Sequence, residues 1–251
     1  MYLAKPNLWR IVKAQYAFKL KAHIGVFASL VAVNLLGIAL SLSFSSQFGI
    51  SMGQIWLSMR SISNEAVLWV TVLWAFVVAV LLTTKDYSDL DFTFVSNCIS
   101  HNLSNAVLLI TWSIAAGTFA ALGAVLLRLV AFFVFPDDAI VAQNVFLAPL
   151  ELVVGAAVSS MYMLLASCIG YLGGKLMQAG SLLALLTPLF ALAFAMLGGG
   201  GEDVLRGVQS ITGFIMHETS LLLFVAKSLG TAGLVFGLAF LLSYNTEVKR
   251  Q

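Results

Sequence analysis

Charge is what this sequence has least of. Asp, Glu, Lys and Arg make up 10% of its 251 residues, whereas a soluble globular domain carries about 25%. A deficit this deep excludes water as the solvent for most of the surface. Catalytic signatures are missing as well. A phosphate-binding loop of the G-x-x-x-x-G-K-[ST] type needs two glycines at a fixed spacing and a hydroxyl for magnesium. The nearest string, Gly170-Tyr-Leu-Gly173-Gly174-Lys175-Leu176, has the wrong spacing and ends on a leucine, so it reads as a helix-connecting turn. His217-Glu218-Thr219-Ser220 begins like a zinc-protease helix and lacks the second histidine. No Ser/His/Asp spacing stands out. The chain is therefore not expected to be an enzyme, to bind a metal or to hydrolyse ATP. Its two cysteines, Cys98 and Cys168, are expected near the cytoplasmic face, where thiols stay reduced.

What is present is hydrocarbon. The chain is 61% hydrophobic with a mean hydropathy of +1.00, and crossing about 30 Å of lipid takes about 20 apolar residues. The expected fold is an all-α membrane protein with six transmembrane helices over 23–44, 66–84, 106–128, 145–170, 176–197 and 220–244. The third could continue past Arg128 to Phe135. A single transmembrane domain, 1–251, covers everything. Trp69 and Trp74 lie in the second span and Pro188 in the fifth, where a proline kinks a helix. Residues 45–65 are too polar to cross and read as an outer loop with a short interfacial piece at 55–59. Residues 198–219 form the last outer loop. Gly117, Gly123, Gly155, Gly230, Gly233 and Gly237 permit close helix contacts.

Residues 1–22 are basic and amphipathic. Lys5, Arg10, Lys13, Lys19 and Lys21 alternate with Leu8, Trp9, Ile11, Val12, Tyr16 and Phe18, the pattern of a helix lying in the membrane interface. The alternative is a solvated basic tail that orients the first span. A signal peptide is disfavoured, because the uncharged run after residue 22 far exceeds a 7–15-residue core. Six spans place both termini on one side. With the N-terminus inside, the inner segments hold Lys5, Arg10, Lys13, Lys19, Lys21, Lys85, Lys175, Lys249 and Arg250, nine of the 13 Lys and Arg. That bias puts both termini in the cytoplasm.

The stretch 85–105, KDYSDLDFTFVSNCISHNLSN, is the long polar interruption on this positive side. Phe92, Val95 and Ile99 fall on one face of a short helix, so the apolar residues are expected inward and Asp, Asn and His outward. A solvated linker, the alternative, has no need of two Phe, a Val and an Ile.

At these residues the chain resembles the membrane (permease) subunit of ABC-2 type ATP-binding-cassette transporters. The resemblance covers nearly the whole length: a basic amphipathic N-terminal helix, six spans, an Asp-rich first cytoplasmic loop running into Phe92-Thr-Phe94-Val-Ser96, and a last outer loop long enough for short re-entrant helices at 203–211 and 213–217. Many members read Ser-x-Pro-x-Ser-Arg followed by Gly-Lys here. This chain has Ser96-Asn-Cys-Ile-Ser100-His101, without that Pro, Arg or Lys. The resemblance implies a coupling helix over about 89–102 that docks on an ATPase subunit, with Asp86, Asp89, Asp91, Phe92, Phe94, Ser96, Asn97 and His101 as contact residues. It also implies a second permease subunit, identical or homologous, and separate cytoplasmic ATPase subunits carrying ATP and magnesium. Membrane lipid surrounds the chain and nucleic acid is not a partner. The implied setting is a bacterial cytoplasmic membrane, and the implied work is export of a peptide antibiotic or lipid-like substrate. A stand-alone secondary transporter or channel is the other reading; it would call for inverted repeats and several mid-membrane charges, which the sequence does not display.

Charges inside spans are functional candidates. Glu151 and Lys227 fall in spans four and six at similar depth, about 10 Å from the outer ends at 1.5 Å per residue. They read either as a structural ion pair or as a polar feature of the export path, and Lys227 could instead snorkel outward. Arg128 could join either grouping.

Overall fold

In the computed structural model, the described residues are 8–44, 46–52, 55–61, 63–84, 98–134, 139–140, 149–178 and 220–248. They form six helices and three short strands: α1 (Leu8–Ala22), α2 (Gly25–Ser43), β1 (Ser46–Met52), β2 (Ile55–Ser61), α3 (Glu65–Leu82), α4 (Cys98–Val134), β3 (Ala139–Ile140), α5 (Pro149–Gln178) and α6 (Leu221–Val248). Helices α2 to α6 are each long and apolar enough to cross a membrane. The chain is a helical, multi-pass membrane protein. Its outward-facing leucines and aromatics fit lipid as solvent, for example Leu35, Leu36, Trp69, Leu126 and Leu234, all exposed.

Two spans differ from their expected limits for identifiable reasons. The third is not confined to 106–128. The helix starts at Cys98 and runs 37 residues, about 55 Å at 1.5 Å per residue, because neither Gly-rich nor Pro-containing sequence interrupts it before Pro136. Residues 98–105, expected in the coupling loop, are its first two turns. The fourth span does not stop at 170. Helix α5 continues through Gly173, Gly174 and Lys175 to Gln178, so the turn expected at 171–175 is helix. Its glycines serve packing instead of reversal. The fifth span (176–197), with Pro188, and the outer loop at 198–219 lie outside the described residues, apart from 176–178, which close α5.

The segment between α2 and α3, expected as an outer loop with a short interfacial piece at 55–59, contains two strands. β1 and β2 pair antiparallel from Ser46↔Ser61 to Met52↔Ile55, and β3 adds a short parallel pairing through Met59↔Ala139 and Arg60↔Ile140. Alternating residues such as Gln47-Phe48-Gly49-Ile50-Ser51 have a period of two, which suits strand and not helix. The strands are two residues apart in sequence, the spacing of a tight hairpin.

The chain divides into two units. One comprises 23–75 and 111–163. Its core joins Ile38, Val67 and Leu127, with Leu42 packed against them. Gly117 lets α4 and α5 approach: an added Cβ would stand 2.6 Å from the Ser160 Cα and closer still to its backbone nitrogen. Polar side chains in this unit turn back on their own helices, as Thr71 Oγ1 does to the Val67 carbonyl at 2.7 Å and Asn34 Nδ2 to that of Leu30 at 2.9 Å. The Trp74 indole N–H donates to Ser29 Oγ at 2.9 Å, and the His23 ring stacks on Trp112 with centroids 6.2 Å apart.

The other unit comprises 1–22, 76–110 and 164–251. Here α5 packs on α3 through Gly170 and Gly174, one helical turn apart. A Cβ on Gly170 would meet the Phe76 carbonyl oxygen at 2.5 Å, and one on Gly174 would meet Thr83 Cβ at 2.9 Å. This is the small-xxx-small geometry of membrane helix pairs. Gln178 Nε2 donates to the Thr83 carbonyl beyond it. By contrast, no described atom comes within 4 Å of a Cβ built on Gly155, Gly230, Gly233 or Gly237, so of the six glycines expected at helix contacts only Gly117 and Gly123 are placed in one.

Candidate functional site

The polar centre of the second unit is built where α1 meets the start of α4. Helix α1 turns Leu8, Trp9 and Phe18 outward and buries Val12, Gln15 and Lys19. These buried positions follow i, i+3, i+7, one face of a helix. Trp9 and Phe18 are exposed alongside Arg10, Lys13 and Lys21, while one ammonium group, that of Lys19, faces the protein. Lys19 is only 2% exposed. Burying a charge is costly unless it is hydrogen-bonded, and α4 supplies the acceptors. Lys19 Nζ donates to Ser104 Oγ at 2.9 Å and to Asn105 Oδ1 at 2.5 Å.

From Asn105 the network crosses to α5. Asn105 Nδ2 donates to the Tyr171 hydroxyl oxygen at 3.3 Å, and that hydroxyl donates to Asn102 Oδ1 at 2.7 Å. Asn105 Nδ2 also lies 3.2 Å from His101 Nε2. Ser104 Oγ returns its own proton to the His101 carbonyl at 2.8 Å. The Tyr171 ring stacks on Phe236 of α6, centroids 5.2 Å apart, and Lys175 Nζ stands 5.6 Å from its centroid on the other contact. Asn102, Asn105, Ser104 and Tyr171 are all essentially inaccessible. One tyrosine and one asparagine thus bind α1, α4, α5 and α6 into a joint.

Gln15 is the exception. It is buried, and neither amide atom has a hydrogen-bond partner among the described residues. Two unmatched polar atoms one turn from Lys19 make this end of α1 a costly one to hold in place.

Of the residues expected to contact an ATPase, Asp86, Asp89, Asp91, Phe92, Phe94, Ser96 and Asn97 lie outside the described residues. His101 is half-buried in the first turn of α4. The expected amphipathicity is reversed there: Ile99 is exposed, while Ser100 and Asn102 are buried. Of the charges expected inside spans, Glu151 is exposed in the first turn of α5. It therefore sits at a helix start and not two turns into one. A carboxylate is favoured there by the helix dipole, and Pro149 ahead of it fits the first helical position. Lys227 is partly buried in the second turn of α6, and Arg128 is partly buried in α4. Among the described residues no group of His, Cys, Asp and Glu is placed to hold a metal ion. Cys168, a free cysteine, is buried in α5.

Sequence reasoning missed Gln15, Lys19, Asn102, Ser104, Asn105, Tyr171 and Lys175. A signal was available for α4. The polar run Ser100 to Asn105 carries no Pro or Gly, so it can extend the apolar helix that follows, and a polar face on a helix this close to lipid must be met by another helix. Comparison with known protein families, curated proteins and solved structures returned no match.

Proposed function

We propose that the chain is the membrane-spanning subunit of an ABC-2 type exporter, driven by separate ATPase subunits. The observation that carries this reading is the buried joint of Lys19 with Ser104 and Asn105. It lies directly downstream of the acidic segment 85–97, at the start of a helix longer than a membrane is thick. A partner that pushed on 85–97 would move the base of α4, and the joint would carry α1, α5 and α6 with it. A stand-alone channel has no need of such a junction beside an acidic cytoplasmic loop.

In this mechanism Asp86, Asp89, Asp91, Phe92, Phe94, Ser96, Asn97 and His101 present the coupling surface. ATP and magnesium are held by the partner subunits, and this chain performs no hydrolysis. Two permease subunits, identical or homologous, face each other in a bacterial cytoplasmic membrane with all termini inside. Nucleotide-driven closure of the ATPases rocks the helices and opens an outward path for an amphipathic peptide or lipid-like substrate. Lys227, Arg128 and Glu151 are the charged groups available along such a path or to the ties between helices.

The test is affinity purification from native membranes in mild detergent, with an ATPase assay on what co-elutes. A stoichiometric ATPase, lost on Asp89→Lys with Asp91→Lys while the membrane subunit remains folded, supports the reading. A folded chain that retains no ATPase from membranes where partners are present overturns it in favour of a protein that works alone.

A further inference from the structure

Helix α1 has two opposite faces, and only one of them is turned to the protein. At 3.6 residues per turn, Val12, Gln15 and Lys19, all buried, share one side. Arg10, Lys13 and Lys21, all exposed, fall within an arc of about 80° on the other. Trp9 and Phe18, 62% and 37% exposed, flank the cationic arc, one on either side. The helix contains no Asp or Glu to neutralise it. Two independent ties place this face at the level of the lipid head groups. The first is the chain itself: α1 ends at Ala22 and the apolar α2 begins at Gly25, so Lys21 stands next to a membrane span. The second is Lys19, bonded to Ser104 and Asn105 in the first turns of α4. That helix runs 37 residues, about 55 Å against about 30 Å of hydrocarbon, and its polar first turns belong outside the hydrocarbon. The same bonds fix the rotation of α1. With Lys19 turned to α4, the other three cations are turned away from the protein.

We propose that the outer face of α1 is a docking surface for anionic phospholipid head groups, with Arg10, Lys13 and Lys21 binding phosphates and Trp9 and Phe18 seated beside them in the interface. An indole suits the head-group level, and an apolar ring suits the acyl boundary just below it. Arg10 and Lys21 lie about 16 Å apart along the helix axis, more than one phosphate covers. The face therefore matches a surface of phosphates and not a single free ion. A zwitterionic head group carries its own cation, which offsets the attraction to the phosphate. An anionic head group has no such offset, and each Lys or Arg near an anionic surface strengthens binding about fivefold. The rings and the adjacent span favour lipid over an acidic protein segment, which would answer the charges alone.

This inference does not rest on the transporter reading, and its test uses the full chain in phosphatidylcholine nanodiscs. A fluorophore is attached through Ala17→Cys, in the middle of the cationic arc, in a background with Cys98→Ser and Cys168→Ala. It is quenched by a trace of nitroxide-labelled lipid bearing either a phosphatidylglycerol or a phosphatidylcholine head group. The ratio of quenching at equal tracer fraction reports the enrichment of anionic lipid at α1. Phosphatidylglycerol should be enriched at least about fivefold at low salt and should approach parity at about 1 M salt, where charges are screened beyond about 3 Å. Arg10→Gln, Lys13→Gln and Lys21→Gln should each reduce the enrichment, and the triple variant should abolish it. Parity in the parent at low salt overturns the proposal, and a face already engaged by an acidic protein segment would give that result. Full enrichment in the triple variant or, should that variant not fold, in all three single variants overturns it as well. So does loss of the enrichment when chloride is exchanged for inorganic phosphate at constant ionic strength, which would mean a site for the free ion.

Discussion

Lys19 reaches Asn105 across 86 positions of sequence and meets it at 2.5 Å, joining the N-terminal helix to the first turns of the longest one. The two partners are not equivalent. Replacing Lys19 with Met removes the charge together with its desolvation cost and leaves two neutral acceptors, a loss of about 1–3 kcal/mol. Replacing Asn105 with Ala removes the ammonium's closest acceptor and leaves a buried charge poorly matched, which costs about 3–5 kcal/mol. Reversible unfolding in mixed detergent should rank Asn105→Ala as the more damaging. Asn105→Asp, which keeps an acceptor for Lys19, should recover part of the loss. Equal effects from the two truncations would mean that the ammonium is not held by this bond.

Glycine-to-alanine changes should split by position. Gly170 faces the Phe76 carbonyl, backbone that cannot step aside. Gly170→Ala should therefore destabilise by about 1–3 kcal/mol through overpacking. Gly155 faces no described atom within 4 Å, and Gly155→Ala should stabilise by up to about 1 kcal/mol through helix propensity alone. Thermal inactivation curves of the two variants, run side by side, check the sign of each.

The apolar spans were legible because lipid demands a composition that little else mimics: α2, α3 and α6 lie within a few residues of their expected limits. What was illegible depends on what a glycine or a polar side chain is used for. Gly170-Tyr-Leu-Gly173-Gly174 reads equally well as a turn or as a helix face, and only the presence of Phe76 and Thr83 opposite decides for the face. Lys19 reads as one of five interchangeable basic residues, since nothing local distinguishes the one that finds acceptors 85 and 86 positions away. Residues 46–61 read as too polar to span, and their period-two alternation is the pattern of the strands they form. The acidic residues of 86–91, one part of a resemblance to transporter subunits that topology mostly carries, lie outside the described residues.

Tyr171 is fully buried and is both acceptor and donor in the joint. Tyr171→Phe keeps the ring against Phe236 and removes only the hydroxyl. Asn102 then loses its donor and Asn105 one acceptor. The expected cost is about 1–3 kcal/mol, the penalty of leaving buried polar atoms unmatched. Tyr171→Leu also loses the stack, worth about 0.5–1.5 kcal/mol more. If the Phe variant unfolded at the same detergent fraction as the parent, the hydroxyl would not be holding α4 to α5.

The sidedness of the chain gives the last prediction. Helix α4 is 37 residues long, and its polar first turns meet the basic α1, so that end should face the compartment where positive charge collects, the cytoplasm. The β1–β2 hairpin lies one span away from α1 in sequence and should face the opposite side. In a background with Cys98→Ser and Cys168→Ala, a cysteine at Ser51 should react with a membrane-impermeant maleimide added to intact spheroplasts. Cysteines at Lys5 and Gln251 should react only after permeabilisation. Labelling of Lys5→Cys and Gln251→Cys from outside would invert the topology, and with it the access of any cytoplasmic ATPase to residues 85–97. Labelling of one terminus but not the other would mean an odd number of crossings, so that residues 179–219 do not contribute the sixth.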